Sequence, residues 1–362
     1  MSAGGKADAN TTYRQFAHLS VGGSAVRIRL SNRYGGEPLT FDAAAVGIRS
    51  KDAALVAGST RPLTMHGRKV IVVPVGGYVY TDPVRLDVRA QQDVAVSLFS
   101  STVPPVSQHG ASAVTEFFGL PGSGDHTRDE VAAGFVRKQS KVLWMDAVDV
   151  LTTEARGTIV AIGDSITDCC NVAADSNARW LDDLGRRLDS LSTNDSHRRA
   201  VVNAGNTGGL LGGDDINGDR VGGSGLHRME RDVFSQTGVT DVAVFLGTND
   251  IAAGRTSSQI IEDLKEATRR IHLHGMRAIG VTILPREGGA GYVPPSMEPV
   301  RKAVNDWLRA SSSFDAVWDF ATTLSQPMQR DVMNVTYSGD GTHPNETGHK
   351  AMADAVNLAI FR

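Results

Sequence analysis

The sequence predicts a three-layer α/β/α domain with a parallel sheet, preceded by an antiparallel β domain. Two observations carry this. From Thr158 onward, apolar β-branched runs alternate with amphipathic stretches. Up to about Val150, short alternating runs are broken by turn clusters, with little helical periodicity. A third observation is length: 362 residues exceed one ordinary domain. The boundary is placed in the polar segment Asp149–Gly157, giving domains at 1–150 and 151–362.

In the first half, Ala25–Leu30 and Val84–Val88 alternate apolar and polar residues, and Lys69–Val75 and Asp93–Phe99 are further β-rich runs. Turn clusters such as Asn32-Arg33-Tyr34-Gly35-Gly36 and Gly76-Gly77 separate them. The pattern is that of an antiparallel β-sandwich, jelly-roll-like. In the second half, strands are expected at Thr158–Gly163, Ala200–Ala204, Asp241–Leu246, Ala278–Ile283 and Ala316–Phe320. Helices are expected at Ala178–Leu188, Ile260–His274, Glu298–Ala310 and Glu346–Ile360. Strand, helix, strand in that order requires crossovers, hence a parallel sheet covered on both faces.

Composition narrows the function classes. A net charge of -3 and no basic run interleaved with aromatics argue against a nucleic-acid partner. No apolar stretch is long enough to span a bilayer. The N-terminal MSAGGKADANTTYRQ lacks the apolar core of a signal peptide, so a cytoplasmic protein is expected, or a secreted or periplasmic one whose leader was removed. The cysteines, Cys169 and Cys170, are adjacent; neighbours rarely pair because the intervening trans peptide strains the bridge. Two thiols do not make a zinc site, and no metal or cofactor is expected.

In a doubly wound sheet, ligands bind beyond the carboxyl ends of the strands. The first strand delivers Gly163-Asp164-Ser165 there, one hydroxyl beside a helix N-terminus. The second runs into Gly205-Asn206-Thr207-Gly208-Gly209 and the third into Gly247-Thr248-Asn249-Asp250. The last helix follows Asp340-Gly341-Thr342-His343-Pro344, a carboxylate three residues before an imidazole. Acyl transfer needs a nucleophile, a base, a group orienting the base, and donors for an oxyanion, and these segments supply each.

This constellation resembles the SGNH hydrolase superfamily, the GDSL esterases. Gly163-Asp164-Ser165 with Ile166-Thr167-Asp168 is similar to the first block, Asn203 to Gly208 to the second, Gly247 to Asp250 to the third, and Asp340 to His343 to the last. Segments at Ser20, Arg61, Tyr80 and Asn177 are similar to bacterial members with an N-terminal β domain. The resemblance implies a flavodoxin-like hydrolase domain, Ser165 as nucleophile, and Asp340 and His343 as its triad partners. It also implies an oxyanion hole from Ser165, Gly208 and Asn249. Two departures stand out. Cys169-Cys170 replaces the usual glycine, and Asn206-Thr207-Gly208-Gly209-Leu210 departs from the usual second block, leaving the oxyanion glycine open by one position.

Other residues have plainer readings. Asp164 supports the nucleophile turn, Asp250 caps the segment after it, and Asp168 caps or lines the pocket. Trp180 and Tyr292 are candidate substrate contacts, Trp180 also reading as core. His349 lies in the final helix as a surface or packing residue, and His272 and His274, two apart, face different ways. Asp214–Asp219 lacks the glycine and glutamate of a calcium loop, and Gly208–Gly213 lacks the lysine of a phosphate loop. The expected function is a serine carboxylester hydrolase acting on short-chain acyl or aryl esters. The alternative is a carbohydrate O-acetylesterase whose β domain binds the polysaccharide. A binding module that lost its chemistry is disfavoured because every triad position is filled, and transfer to an alcohol other than water needs only a drier pocket.

Overall fold

The computed structural model describes residues 2–4, 7–110, 112–213, 222–289 and 297–361. The chain divides into two compact units, Met1–Glu154 and Ala155–Arg362. No helix among the described residues is long and apolar enough to cross a membrane.

The first unit is built of antiparallel sheets. In the largest, Asp93–Ser100 lies between Thr11–His18 and Ala43–Lys51. A second sheet has Gly23–Ser31 between Val84–Val88 and Met145–Leu151. Because strand side chains alternate faces, Val94, Val96 and Leu98 of one sheet and Val26, Ile28 and Leu30 of the other can all enter one core. Trp144, fully buried, lies edge-on to Tyr13 and Phe41 within it. The run expected at Lys69–Val75 pairs only over Ile71–Val73, with Val70, Val72 and Val75 exposed.

In the second unit, five parallel strands run Thr158–Gly163, Ala200–Gly205, Val239–Phe245, Arg277–Val281 and Ala316–Trp318 in chain order. Their spatial order is second, first, third, fourth, fifth. The direction of winding therefore reverses at the first strand, and the crevice between the first and third strands is the topological switch point. Alternation divides each strand between two cores. Ile159, Ala161, Ala243, Phe245 and Ile279 pack with Trp180, Leu184 and Met352 on one side of the sheet. Val160, Ile162, Val242 and Val244 pack with Ile260, Leu264, Val304 and Leu308 on the other. The three-layer arrangement follows from that alternation.

The covering helices have local causes. Trp180–Asp189 (α2) opens on the Arg179–Asp182 pair. Ser257–Leu273 (α5) opens on a reciprocal cap, Thr256 Oγ1 accepting from Gln259 N and Gln259 Oε1 from Thr256 N. Its buried Ile260, Leu264, Ala267 and Ile271 follow helical spacing. The last helix ends at Ala355, short of the expected Ile360. Arg187 donates to the Ala353 and Val356 carbonyls, and Asn357 caps a separate short turn over Leu358–Ile360.

Candidate active site

The first strand ends at Gly163, and Asp164 caps the short helix Ser165–Asp168 (α1) by accepting from the Ile166 amide at 2.9 Å. Ser165 thereby occupies the first helical position, where backbone N–H groups lack intrahelical partners. Its Oγ lies 3.0 Å from His343 Nε2. His343 Nδ1 lies 2.9 Å from Asp340 Oδ2. With Nδ1–H donating to that carboxylate, Nε2 is left as the acceptor for the serine hydroxyl.

Asp340 is held by its own turn. Its Oδ1 accepts from the Thr342 amide at 2.9 Å and the His343 amide at 2.8 Å, and Ser338 Oγ lies 3.1 Å away. Burial opposes its charge, but the His343 ring and these two amides outweigh it and hold the carboxyl well below the usual carboxylate range. The His343 and Asp340 side chains keep 25% and 29% of their surface, so the relay faces solvent. Asn171 Nδ2 donates to the His343 carbonyl at 3.0 Å, tying the segment after α1 to the turn that carries the imidazole.

The second segment docks onto the first. Asn206 N donates to the Gly163 carbonyl at 3.0 Å, and Asn203 Nδ2 to the Thr167 carbonyl at 2.6 Å. A Cβ on Gly205 would stand 2.4 Å from the Asp168 amide nitrogen, so the contact requires glycine. Asp168, buried, accepts from the Thr207 amide at 3.0 Å and its hydroxyl at 2.8 Å. Its carboxylate fastens the loop carrying Gly208. Gly208 adopts φ of +78°, the left-handed region.

The third segment completes the edge. Asn249, in Thr248–Ala252 (α4), donates through Nδ2 to the Gly209 carbonyl at 3.0 Å. One amide hydrogen is thus spent on orientation, and a carboxamide has a second. Asp250, fully buried, accepts from the Leu211 amide at 2.8 Å and from Arg255 at 2.9 Å. It braces the loop at Leu211, while Thr256 caps the helix that follows.

Burial decides between the two readings of Trp180 and of His349. Trp180 is fully buried, with Phe245, Trp318 and Phe320 edge-on around it, as part of the aromatic core. His349 is also fully buried: its Nδ1 accepts from the Trp180 amide at 3.2 Å, leaving Nε2–H for the Cys170 carbonyl at 3.4 Å. Burial pushes its pKa down to about 4. Tyr292 and Asp214–Asp219 lie outside the described residues.

Sequence reading missed two arginines. Arg228 of Gly225–Met229 (α3) is buried, donating to the Gly163 carbonyl at 2.6 Å, the Ala204 carbonyl at 2.7 Å and Asp232 at 2.9 Å. It clamps the carboxyl ends of the first two strands. Arg286 is buried and donates to Thr248 Oγ1 at 2.8 Å. Burial lowers its pKa, while the charges of Asp164, Asp340 and Glu298 work the other way. Nothing in a sequence pattern marks such arginines, because their partners are mostly backbone carbonyls that carry no sequence signature. Asp164 itself is buried, and desolvation pushes its pKa up to about 7 against the Ile166 amide, His343 and Arg286.

Comparison with known proteins adds a family. A model described as the GDSL-like lipase/acylhydrolase family matches residues 161–351. No curated protein sequence matches the chain. Similar solved structures include the native aryl esterase of M. smegmatis, at 17% identity and a TM-score of 0.44, covering 55% of this chain and 95% of that one. A member of the lipolytic protein G-D-S-L family from Veillonella parvula has 22% identity and a TM-score of 0.39, covering 55% and 94%. A variant of an acetyl-xylooligosaccharide esterase from Geobacillus stearmophilus has 18% identity and a TM-score of 0.42, covering 57% and 94%.

Proposed function

The chain belongs to the GDSL-like lipase/acylhydrolase family and is a hydrolase of that class, and we propose that it is a serine carboxylester hydrolase acting on short-chain acyl or aryl esters. The observation that carries the reading is the relay from Ser165 Oγ through His343 to Asp340, at 3.0 Å and 2.9 Å.

The mechanism proceeds from that relay. Ser165 attacks the ester carbonyl as its proton passes to His343 Nε2, and Asp340 stabilises the imidazolium. The amides of Ser165 and Gly208 and the Asn249 carboxamide receive the oxyanion. His343 then protonates the leaving alcohol, giving an acyl-enzyme, and afterwards takes a proton from water for deacylation. No step calls on a metal or organic cofactor.

Hydrolysis of a series of aryl esters, with acetylated xylo-oligosaccharides beside it, tests the reading. Turnover of short acyl esters that disappears in Ser165→Ala, together with fluorophosphonate labelling of Ser165, is the expected result. Wild-type turnover in Ser165→Ala would overturn it. Preference for the acetylated sugars would shift the assignment to carbohydrate O-acetyl esters with the same residues in the same roles.

A further inference from the structure

Directly after α1, where the family resemblance leads one to expect glycine, stand two free thiols, Cys169 buried and Cys170 half-buried. Their Sγ atoms lie 4.0 Å apart. Joined by one trans peptide, their Cα atoms are held at about 3.8 Å. That is shorter than the ~4.4 Å at which unstrained disulfides begin. The pair is therefore poorly placed to become a disulfide. It is well placed to grip a third atom. Two bonds of about 2.3 Å from thiolates to a soft centre, at a near-tetrahedral angle, span roughly 3.8 Å. Among the described residues, no group of three or more His, Cys, Asp and Glu side chains could hold a metal ion. The fitting occupant is a centre that two sulfurs satisfy, not a zinc-like ion seeking four ligands.

The pair is wired to the reactive residues. The amides of Cys169 and Cys170 both donate to the Ser165 carbonyl, at 3.3 Å and 3.2 Å. Cys169 Sγ lies 3.8 Å from Thr207 Oγ1, on the loop that leads to Gly208. The next residue, Asn171, sits at φ of +62° and holds the His343 carbonyl. Movement at the pair thus bears on the nucleophile, the loop leading to the oxyanion glycine and the imidazole turn together.

We propose that Cys169 and Cys170 form a dithiol site for soft, trivalent thiophiles of the organoarsenical class, and that occupancy shuts off the neighbouring Ser165. The second half rests on the esterase reading; the first does not. Capture is a condensation without redox change: an arsonous acid R–As(OH)2 exchanges both hydroxyls for the two sulfurs, giving R–As(S)2 and two waters. The thiol protons leave in those waters. Cys170, the half-buried thiol, is the entering nucleophile, and the buried Cys169 closes the ring second. The hydrogen bond between the two thiols and the nearby His343 lower the Cys170 pKa against the effect of burial.

The test uses phenylarsine oxide on the full chain and on Cys169→Ser and Cys170→Ser. Intact mass should show one adduct per wild-type chain, stable to a monothiol and removed by a small dithiol, and none in either variant. Fluorophosphonate labelling of Ser165 and aryl-ester turnover should fall at least tenfold with the adduct and return with the dithiol. An adduct that persists in either variant, or that a monothiol strips, overturns the dithiol site. A full adduct with unchanged Ser165 labelling overturns the coupling. Failure of untreated wild type to label or turn over defeats the esterase reading instead, while the mass shift still decides the dithiol.

Discussion

Asp164→Asn should expose a pH dependence of stability that the wild-type chain conceals. Two buried groups titrate in opposite senses over the same range. His349 has its folded pKa depressed from 6.5 to about 4. Between those values the unfolded chain binds a proton that the fold refuses, so the stability present above 6.5 is lost as pH falls. Asp164 has its folded pKa raised from 3.8 to about 7. Between those values the fold keeps a proton that the unfolded chain releases, so stability present at low pH is lost as pH rises through 7.

One pKa unit corresponds to about 1.4 kcal/mol. Integrating each proton difference from about pH 6.5 down to about pH 4.5, His349 withdraws about 2 kcal/mol and Asp164 restores about 2 kcal/mol. Asparagine keeps the oxygen that accepts the Ile166 amide but never titrates. The variant should therefore lose about 2 kcal/mol relative to wild type on acidification across this window. Urea unfolding of both proteins at the two pH values reads the difference directly, and titrating groups remote from Asp164 cancel in the comparison. Parallel pH profiles would mean that Asp164 is ionised in the fold, and the reasoning from burial would fail.

Asn249→Ala should lower kcat on an aryl ester by about a hundredfold or more while leaving measurable turnover, since one oxyanion donor is worth roughly 3 kcal/mol; steady-state kinetics beside Ser165→Ala separates the two. Arg228→Met should cost about 3 to 5 kcal/mol in urea unfolding, because it removes a buried cation from two strand-end carbonyls and Asp232. Trp180→Phe should lower stability by about 2 kcal/mol with KM unchanged, as expected of a core residue; a raised KM with unchanged stability would return Trp180 to the substrate pocket.

Much of this was legible because the second unit writes its structure in local signals. β-branched runs ending in Gly-Asp-Ser, in Gly205 and in Gly247 identify the strands and the residues delivered at their ends. A right-handed parallel sheet then gathers those ends at one edge. Asp340 and His343 were readable for a similar reason, since three residues on one tight turn keep carboxylate and ring in reach. What escaped were interactions that pair a side chain with distant backbone. Arg228 reaches Gly163 across 65 positions, and Asp250 reaches the Leu211 amide across 39. Trp180 and Asp168 each kept two readings in the sequence, core or substrate contact and cap or pocket lining, for the converse reason. Sequence position placed both near the edge, but only packing shows which way they are consumed, Trp180 by the aromatic core and Asp168 by Thr207.

These hidden contacts share a logic with the visible ones. Every segment at the edge is held by a bond to another segment: the first to the second through Asn206 and Asp168, the second to the third through Asn249, the last to the first through Asn171 and Ser165. Asn171 is informative because it lies in a short turn between elements, at φ of +62°. Such turns hold position only while their cross-links persist. Cys169 and Cys170 sit inside this ring of ties, between the Ser165 carbonyl and Asn171. A ligand bridging two adjacent residues there need not reach the substrate to matter; moving one peptide relaxes the first and last segments against each other. Catalysis that depends on positioning to within a fraction of an ångström is sensitive to exactly that kind of change.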